Sequence, residues 1–313
     1  MTSGAWRTGM WRRGLLCAGL AVAVATLLAL HRFVPNTVGN LGSLVETFLP
    51  WLGWTLPPLT LWALLRRSAS AAVALAMPLI LWLSMFAGLL PDKYQGDGHL
   101  RVLTHNVDAD NLDVEGTASI LSTADADIVA LEELNTSGQA AYRTSLADAY
   151  PFHVVHGTVG LWSKHPIVDS TAVDIEIGWT RAMRALVDAP EGRIAVFVAH
   201  LASVRVGTDG FTSSQRDSTA QALGSAIAAE ESERVVLLGD LNGTAQDRSL
   251  APITYQLEST QALAGAGFGF SWPAGFPMAR IDHILVRGVT ATSSWQLERT
   301  GSDHLPVAAD LRY

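Results

Sequence analysis

The chain has 313 residues and a formal net charge of −8, spread unevenly: residues 1–98 carry +4 and residues 99–313 carry −12. A domain that acidic repels polyanions at long range, which argues against non-specific DNA or RNA binding. It leaves phosphate substrates open, because a bound divalent cation inverts the local field. The single cysteine, Cys17, excludes a disulfide framework or a cysteine-based metal site within one chain.

The first part, residues 1–91, reads as a membrane anchor. Gly14–Leu30 and Ser68–Pro91 are uncharged, and Phe33–Leu65 carries only Glu46. A spanning helix needs about 20 apolar residues, so three transmembrane helices are predicted, at 14–34, 44–65 and 69–90. Arg12 and Arg13 before an apolar core also suit a signal peptide, but two further apolar segments favour an uncleaved span. Arg7, Arg12 and Arg13 precede span one, and Arg66 and Arg67 join spans two and three. Only His31, Arg32 and Lys93 flank the other side. That bias predicts a multi-pass cell-membrane protein with a cytoplasmic N-terminus and an extracytoplasmic domain after Leu90. Pro50, Pro57 and Pro58 should kink span two or start it late. Trp51, Trp54, Trp62 and Trp82 suit membrane interfaces, and Glu46 reads better as lying near the outer interface than as a buried functional acid. A linker over 92–98 follows. With Pro91 it reaches at most about 29 Å, which holds the next domain near the membrane.

Residues 99–313 read as a catalytic domain of alternating strands and helices. Leu100–Val107 is an apolar strand, Asp113–Ala124 is helical, and Asp127–Leu131 is a buried strand running into Glu132 and Glu133. Ser137–Ala149 looks helical. Short strands follow at Phe152–Val155, Val159–Ser163, Ala172–Ile177, Ala182–Asp188 and Arg193–Ala199. Ser213–Glu230 is a helix. Val235–Thr244 (VVLLGDLNGT) is a buried strand entering a turn. Asp240 and Asn242 are two apart, so in extended backbone they share a face; an Asx-turn closing a hairpin is the alternative. Arg280–Arg287, Thr290–Leu297 and Ala308–Leu311 complete the strands. Many short strands with interspersed helices predict two packed β-sheets with helices outside.

Polar residues gather at the strand ends: Asn106, Glu133, His200, Asp240, Asn242, Asp282, and the pair Asp303 and His304. Each has a local explanation. Asn106 suits a cap, Glu133 the first turn of a helix, His200 a satisfied core histidine, Asp282 a surface ion pair, and Asp303-His304 a turn. One shared site accounts for all of them more simply.

These residues lie in TxNV at 104–107, DIVALEEL at 127–134, GLWSKHPI at 160–167, FVAHL at 197–201, GDLN at 239–242, RIDHI at 280–284 and SDHLPV at 302–307. The set resembles the endonuclease/exonuclease/phosphatase superfamily, in that family's order and across nearly all of 100–313. The resemblance implies a four-layered α/β sandwich, two mixed β-sheets flanked by helices. The usual Gln-Glu of the second acidic motif is Glu132-Glu133 here, which puts the metal carboxylate at Glu133 and Glu132 in the glutamine position.

Phosphate ester or anhydride hydrolysis needs neutralised charge, an aligned water and a protonated leaving group. Glu133 and Asp303 are hard oxygen ligands suited to Mg²⁺ or Mn²⁺. Asp240 is the expected base or orienter for water, with the neutral Asn242 and Asn106 holding it or a phosphoryl oxygen. Asp282 would bond the second ring nitrogen of His304, raising its pKa and fixing its tautomer; by resemblance this pair polarises the phosphoryl group. His200 is the second imidazole, for transition-state charge or leaving-group protonation. Arg184 suits either phosphate contact or the strand surface, and Trp272 suits a substrate loop.

The anchor, the outward orientation and the acidic domain point to a phosphorylated lipid rather than nucleic acid. The three-span anchor before this domain also resembles the VanJ-like membrane proteins associated with teicoplanin resistance. That likeness implies a phosphatase acting on undecaprenyl pyrophosphate. The alternatives are an extracytoplasmic nuclease or phospholipid phosphodiesterase and, in another class, a membrane-tethered binding protein with a dead site. Intact Asp240, Asn242, Asp303 and His304 argue against the last.

Overall fold

The computed structural model describes residues 9–208 and 210–313; Arg7, used above in the topology, lies outside the described residues. The chain forms two compact units, one ending at Leu90 and the other running from Pro91 to Tyr313.

In the first unit, Leu15–Phe33, Leu41–Leu65 and Ala69–Leu89 are long and apolar enough to cross a membrane. Helices α1 (Leu15–Leu30) and α4 (Ala69–Phe86) meet through small residues, among them Ala21, Ala71 and Ala74, which allow close approach. The second span is broken as its prolines require. Helix α2 (Leu41–Phe48) passes into a tighter 3₁₀ stretch, Leu49–Thr55, with Pro50 at its start. Helix α3 (Leu56–Leu65) then begins with Pro57 and Pro58 in its first turn, where a missing N–H leaves no intrahelical bond unmade. Trp82 packs inward: its Nε1 donates to the Pro50 carbonyl at 2.8 Å, and a Cβ at Gly53 would come within 2.6 Å of its ring. Glu46, expected near the outer interface, is fully buried in this unit, 3.2 Å from Nδ1 of His31. Burial of a carboxylate demands such a polar neighbour.

The second unit holds two six-stranded sheets. Its first residues are less free than an open linker, because the Gln95 amide donates to the Thr292 carbonyl at 2.8 Å. Strand β1 (Leu100–Asn106) leads through helix α5 (Val114–Thr123) to β2 (Ile128–Glu132), and β1 and β2 pair in parallel. Helix α6 (Thr136–Ser145) precedes the hairpin of β3 (Phe152–His156) and β4 (Val159–Ser163). The second sheet begins with β5 (Ile167–Ala172), β6 (Ala182–Ala189) and β7 (Gly192–His200). A small hairpin, β8 (Val206–Gly207) and β9 (Gly210–Phe211), leads into helix α7 (Ser214–Ala228) and β10 (Val235–Asp240). Short helices α8 (Ala251–Thr254) and α9 (Thr260–Ala264) flank β11 (Glu258–Ser259). Strands β12 (Asp282–Arg287), β13 (Thr290–Gln296) and β14 (Val307–Arg312) finish the chain. The orders are β13-β14-β1-β2-β4-β3 and β11-β12-β10-β7-β6-β5.

Three apolar clusters define the layers. Val102, Ile128 and Leu161 of one sheet meet Val196, Val236 and Ile284 of the other. Leu223 and Ile227 of α7 cover the outer face of the second sheet, and Leu121 of α5 with Tyr142 of α6 cover that of the first. The result is the expected four-layered α/β sandwich.

The strand expected at Ala172–Ile177 is displaced. Pairing with β6 ends at Ala172, and the following segment is a loop. Its Val173, Ile175 and Ile177 alternate like a strand, but Glu176 sits at φ +61° and Gly178 at φ +91°, which breaks the extended run. The two isoleucines are buried against the outer face of the second sheet. The helices at Ser137–Ala149 and Asp113–Ala124 are shorter than expected, ending at Ser145 and Thr123. Helices α8 and α9 and the β8–β9 hairpin carry too little periodicity to be read in advance.

Candidate functional site

Side chains alternate across a strand, and this parity assembles the site. Val102, Ile128, Val196, Val236 and Ile284 face the space between the sheets. Counting on by twos, Asn106, Glu132, His200, Asp240 and Asp282 face it as well, each at a strand end. The apolar seam between the sheets is therefore capped at one end by polar groups.

Asp240 is at the centre, 1% exposed. Its Oδ2 accepts from Nδ2 of Asn106 at 3.1 Å, across the two sheets, and from Nδ2 of Asn242 at 3.2 Å. Its Oδ1 accepts from the Asn242 backbone amide at 2.8 Å. Asn242 is not in extended backbone: at φ +46° it lies past the strand. The Asx-turn and the functional grouping are thus one arrangement. Gly239, at φ +150°, is required because a Cβ there would collide with the Ala199 carbonyl oxygen. Arg216 of α7 holds the turn from behind, donating to the Asn242 carbonyl at 2.9 Å and to Asp247 at 2.6 Å; both charged side chains are fully buried.

Nδ1 of His304 lies 2.9 and 3.0 Å from the two oxygens of Asp282, leaving Nε2 aimed at Asp240 Oδ2, 3.8 Å away, and Asp303 Oδ1, 3.7 Å away. Burial opposes charge on His304, but Asp282, Asp240 and Asp303 outweigh it and push its pKa up to about 10. The loop carrying it is pinned to β1, since Ser302 Oγ donates to the Asn106 carbonyl at 2.7 Å and accepts from the His304 amide at 3.0 Å. Burial raises Asp240 to about 7, against the pull of His304. Near neutrality such a carboxylate can both take and release a proton.

His200 lies 3.6 Å from Asp240 and 3.5 Å from Glu133. Burial first, then Arg181 and His304, lower its pKa well below the usual imidazole range. A neutral His200 is a poor source of a proton for a leaving group, so the structure redirects that expectation: the cation beside it is Arg181. Arg181 hydrogen-bonds His200 Nε2 and donates to the Leu201 carbonyl at 3.1 Å, 8% exposed. Sequence reading missed it and named Arg184 instead. Parity separates them. Met183, Ala185 and Val187 face the seam, so 181 projects toward it and 184 away from it. Arg184 is held on the outer face by Glu230 and Asp169, each at 2.9 Å.

The two adjacent acids differ in kind. Glu132 is fully buried, accepts from Thr104 Oγ1 at 2.8 Å, and has its pKa raised well above the usual value by burial. As a neutral acid it stands in for the amide that its position calls for. Glu133, past the strand end at φ +60°, is 30% exposed at its side chain. It lines a cavity of about 200 Å³ with Trp179, Arg181 and His200. Asp303 is 58% exposed at its side chain, and its Oδ2 accepts from Trp272 Nε1 at 3.0 Å. Trp272 thus lies beside Asp303.

Asp240, Asp282 and His304 bring one donor atom each within 4.8 Å, a grouping that can hold a cation. It differs from the expected pair, Glu133 and Asp303. Both Asp282 oxygens face His304 Nδ1, so two members of this trio are already partnered with each other. Glu133 and Asp303 remain the more open carboxylates, the hard donors that Mg²⁺ or Mn²⁺ prefers.

Fold and site define a two-sheet hydrolase domain behind three apolar helices. Residues 103–304 match the model of the Endonuclease/Exonuclease/phosphatase family, and the chain belongs to that family. No curated protein sequence matches significantly. Among solved structures, the chain is similar to D. rerio TDP2 complexed with a single-strand DNA product (18% identity, 68% of this chain, 99% of that one, TM-score 0.58). It is similar to an endonuclease/exonuclease/phosphatase from Bacteroides vulgatus (18%, 68%, 98%, TM-score 0.55). It is also similar to beta toxin from Staphylococcus aureus (13%, 67%, 99%, TM-score 0.51). These likenesses establish the fold.

Proposed function

We propose that the protein is a membrane-anchored, divalent-metal-dependent phosphohydrolase with an extracytoplasmic site, acting on a lipid pyrophosphate such as undecaprenyl pyrophosphate in cell-wall synthesis or glycopeptide resistance. The observation that carries the hydrolytic reading is the convergence on Asp240 of Asn106, Asn242, His200 and His304. Asp240 accepts the proton of an attacking water. Asn106 and Asn242 fix the carboxylate so that one oxygen faces that water. His304, charged through Asp282, donates from Nε2 to a phosphoryl oxygen. Arg181 offsets charge that builds up beside Glu133. Water adds to the terminal phosphorus, the bridging P–O bond breaks, and inorganic phosphate and the lipid monophosphate result. Glu133 and Asp303 would hold Mg²⁺ or Mn²⁺, which supplies neutralisation of phosphate charge.

Lipid is favoured over nucleic acid by three observations: the −12 domain, the spans, and the exposed apolar side chains of Leu112, Trp179, Trp272 and Phe276 on loops around the strand ends. An apolar rim suits a lipid–water boundary, whereas nucleic acid calls for a basic one.

The experiment is phosphate release by the full-length protein, with and without Mg²⁺, from undecaprenyl pyrophosphate and from DNA in parallel, with Asp240→Asn as blank. Metal-dependent release from the lipid supports the proposal. Nicking of DNA with the lipid untouched replaces it with a nuclease. Binding without turnover of either means a dead site. A reporter fused after Gly98 that is active only on the cytoplasmic side overturns the orientation.

A further inference from the structure

At the end of the anchor where α3 turns into α4, four arginines come together. The Ser68 hydroxyl donates to the Arg13 carbonyl, so Arg12 and Arg13 lie at the same end as Arg66 and Arg67, and all four are exposed. The only acid among the described residues of this unit, Glu46, is buried beside His31, past the opposite end of α1. Four guanidinium groups therefore share one end, with no carboxylate there among the described residues of this unit.

An apolar groove of about 600 Å³ starts at this basic end. Its walls are mainly α3 and α4, including Leu56, Leu64, Ala72, Ala76 and Leu79; Met10 joins them, and Arg67 lines the groove where the two helices join. That volume falls in the range of about 300–1,000 Å³ typical of small-molecule sites. From Ala69 to Leu79 along α4 the helical rise is about 15 Å, the depth of one leaflet of a hydrocarbon core about 30 Å thick. The groove is long enough for a lipid tail and has a cation where that lipid's headgroup would lie.

We propose that this groove binds one anionic glycerophospholipid from the leaflet on the arginine side, with an acyl chain along Ala72 and Ala76 and the phosphate at Arg67. A zwitterionic lipid brings its own ammonium to a site already crowded with positive charge. A second copy of the chain, inserted in the same direction, would bring another arginine end to the same depth, where like charges repel. An anion neutralises the cluster, as basic pockets between membrane helices do for acidic headgroups. The site is separate from the phosphohydrolase centre and stands or falls independently of it.

The test uses the full-length protein in bilayers of equal phosphatidylglycerol and phosphatidylcholine, released for native mass spectrometry. The wild type is expected to retain one phosphatidylglycerol in preference to phosphatidylcholine. Arg67→Gln should weaken that retention about fivefold. Ala76→Phe, which fills the groove from an exposed position, should remove it while the protein still folds. Equal retention of both lipids by the wild type overturns the proposal without recourse to any variant. Preference for phosphatidylglycerol that survives Ala76→Phe overturns it as well, since the acidic lipid then sits elsewhere. A lipid-free dimer assigns the groove to a second copy and also overturns it.

Discussion

His304 Nδ1 lies 2.9 Å from one carboxylate oxygen of Asp282 and 3.0 Å from the other, with both side chains withdrawn from solvent. That contact fixes which ring nitrogen faces the site and keeps the imidazole charged. Asp282→Asn should keep the fold and lower kcat on the order of 10²-fold or more, as measured by steady-state turnover with circular dichroism as the check on folding. Turnover within a few-fold of wild type would show that the charge on His304 is dispensable.

Arg181 hydrogen-bonds His200, and the charges of Asp240 and Glu133 act on its guanidinium. Losing one preorganised cation or donor of this kind costs about 10²–10³-fold in rate. Arg181→Met is expected to fall in that range, and Arg184→Met to stay near wild type in turnover. Reversal of the two results would return Arg184 to the site and contradict the strand parity.

Arg216 and Asp247 are fully buried and bonded at 2.6 Å, with the same guanidinium on the Asn242 carbonyl. Arg216→Met removes from Asp247 a buried cation bonded at 2.6 Å and from the Asn242 carbonyl its donor, a loss of about 3 kcal/mol, read as a lowered thermal midpoint. Arg216→Lys keeps the charge but cannot grip two partners in a planar fork. It should lose more activity than stability, because the Asp240–Asn242 turn loosens while the charge stays compensated.

Glu230 supplies a pH dependence outside the site. Burial would raise its pKa, but Arg184 and Ser232 outweigh burial and hold it at about 2 instead of 4.5. A carboxylate depressed in the folded state stabilises above its unfolded pKa, and the contribution disappears as pH falls through the folded value. The Arg184–Glu230 contribution is therefore full above pH 4.5 and gone below about 2. Because Arg184 is partly solvated, the size should be no more than about 1 kcal/mol. Thermal melts of wild type and Arg184→Met should differ at pH 6 and converge toward pH 2. A difference that persists unchanged to pH 2 would mean that the arginine acts through packing.

Much of this molecule follows from its sequence alone. Three apolar stretches, the second carrying Glu46, and their prolines determined three helical segments long enough to cross a membrane and the break in the second, because hydrocarbon length and the missing proline N–H are local constraints. Short motifs at strand ends determined the family and marked the residues that gather around Asp240, because a strand that ends in a polar residue presents it at an edge of the sheet. What the tertiary structure decided is what depends on which face a residue takes. Glu132 and Glu133 are neighbours of one residue type, yet one is sealed between the sheets and the other opens on the cleft. Arg181, one residue before β6, and Arg184 within it stand three apart and project to opposite faces. Asn106 and Asp240, 134 positions apart, meet only because two sheets pack face to face. Residue type and spacing carry local geometry; the packing of one sheet on another decides which groups lose water, and therefore which hold a proton and which hold a charge.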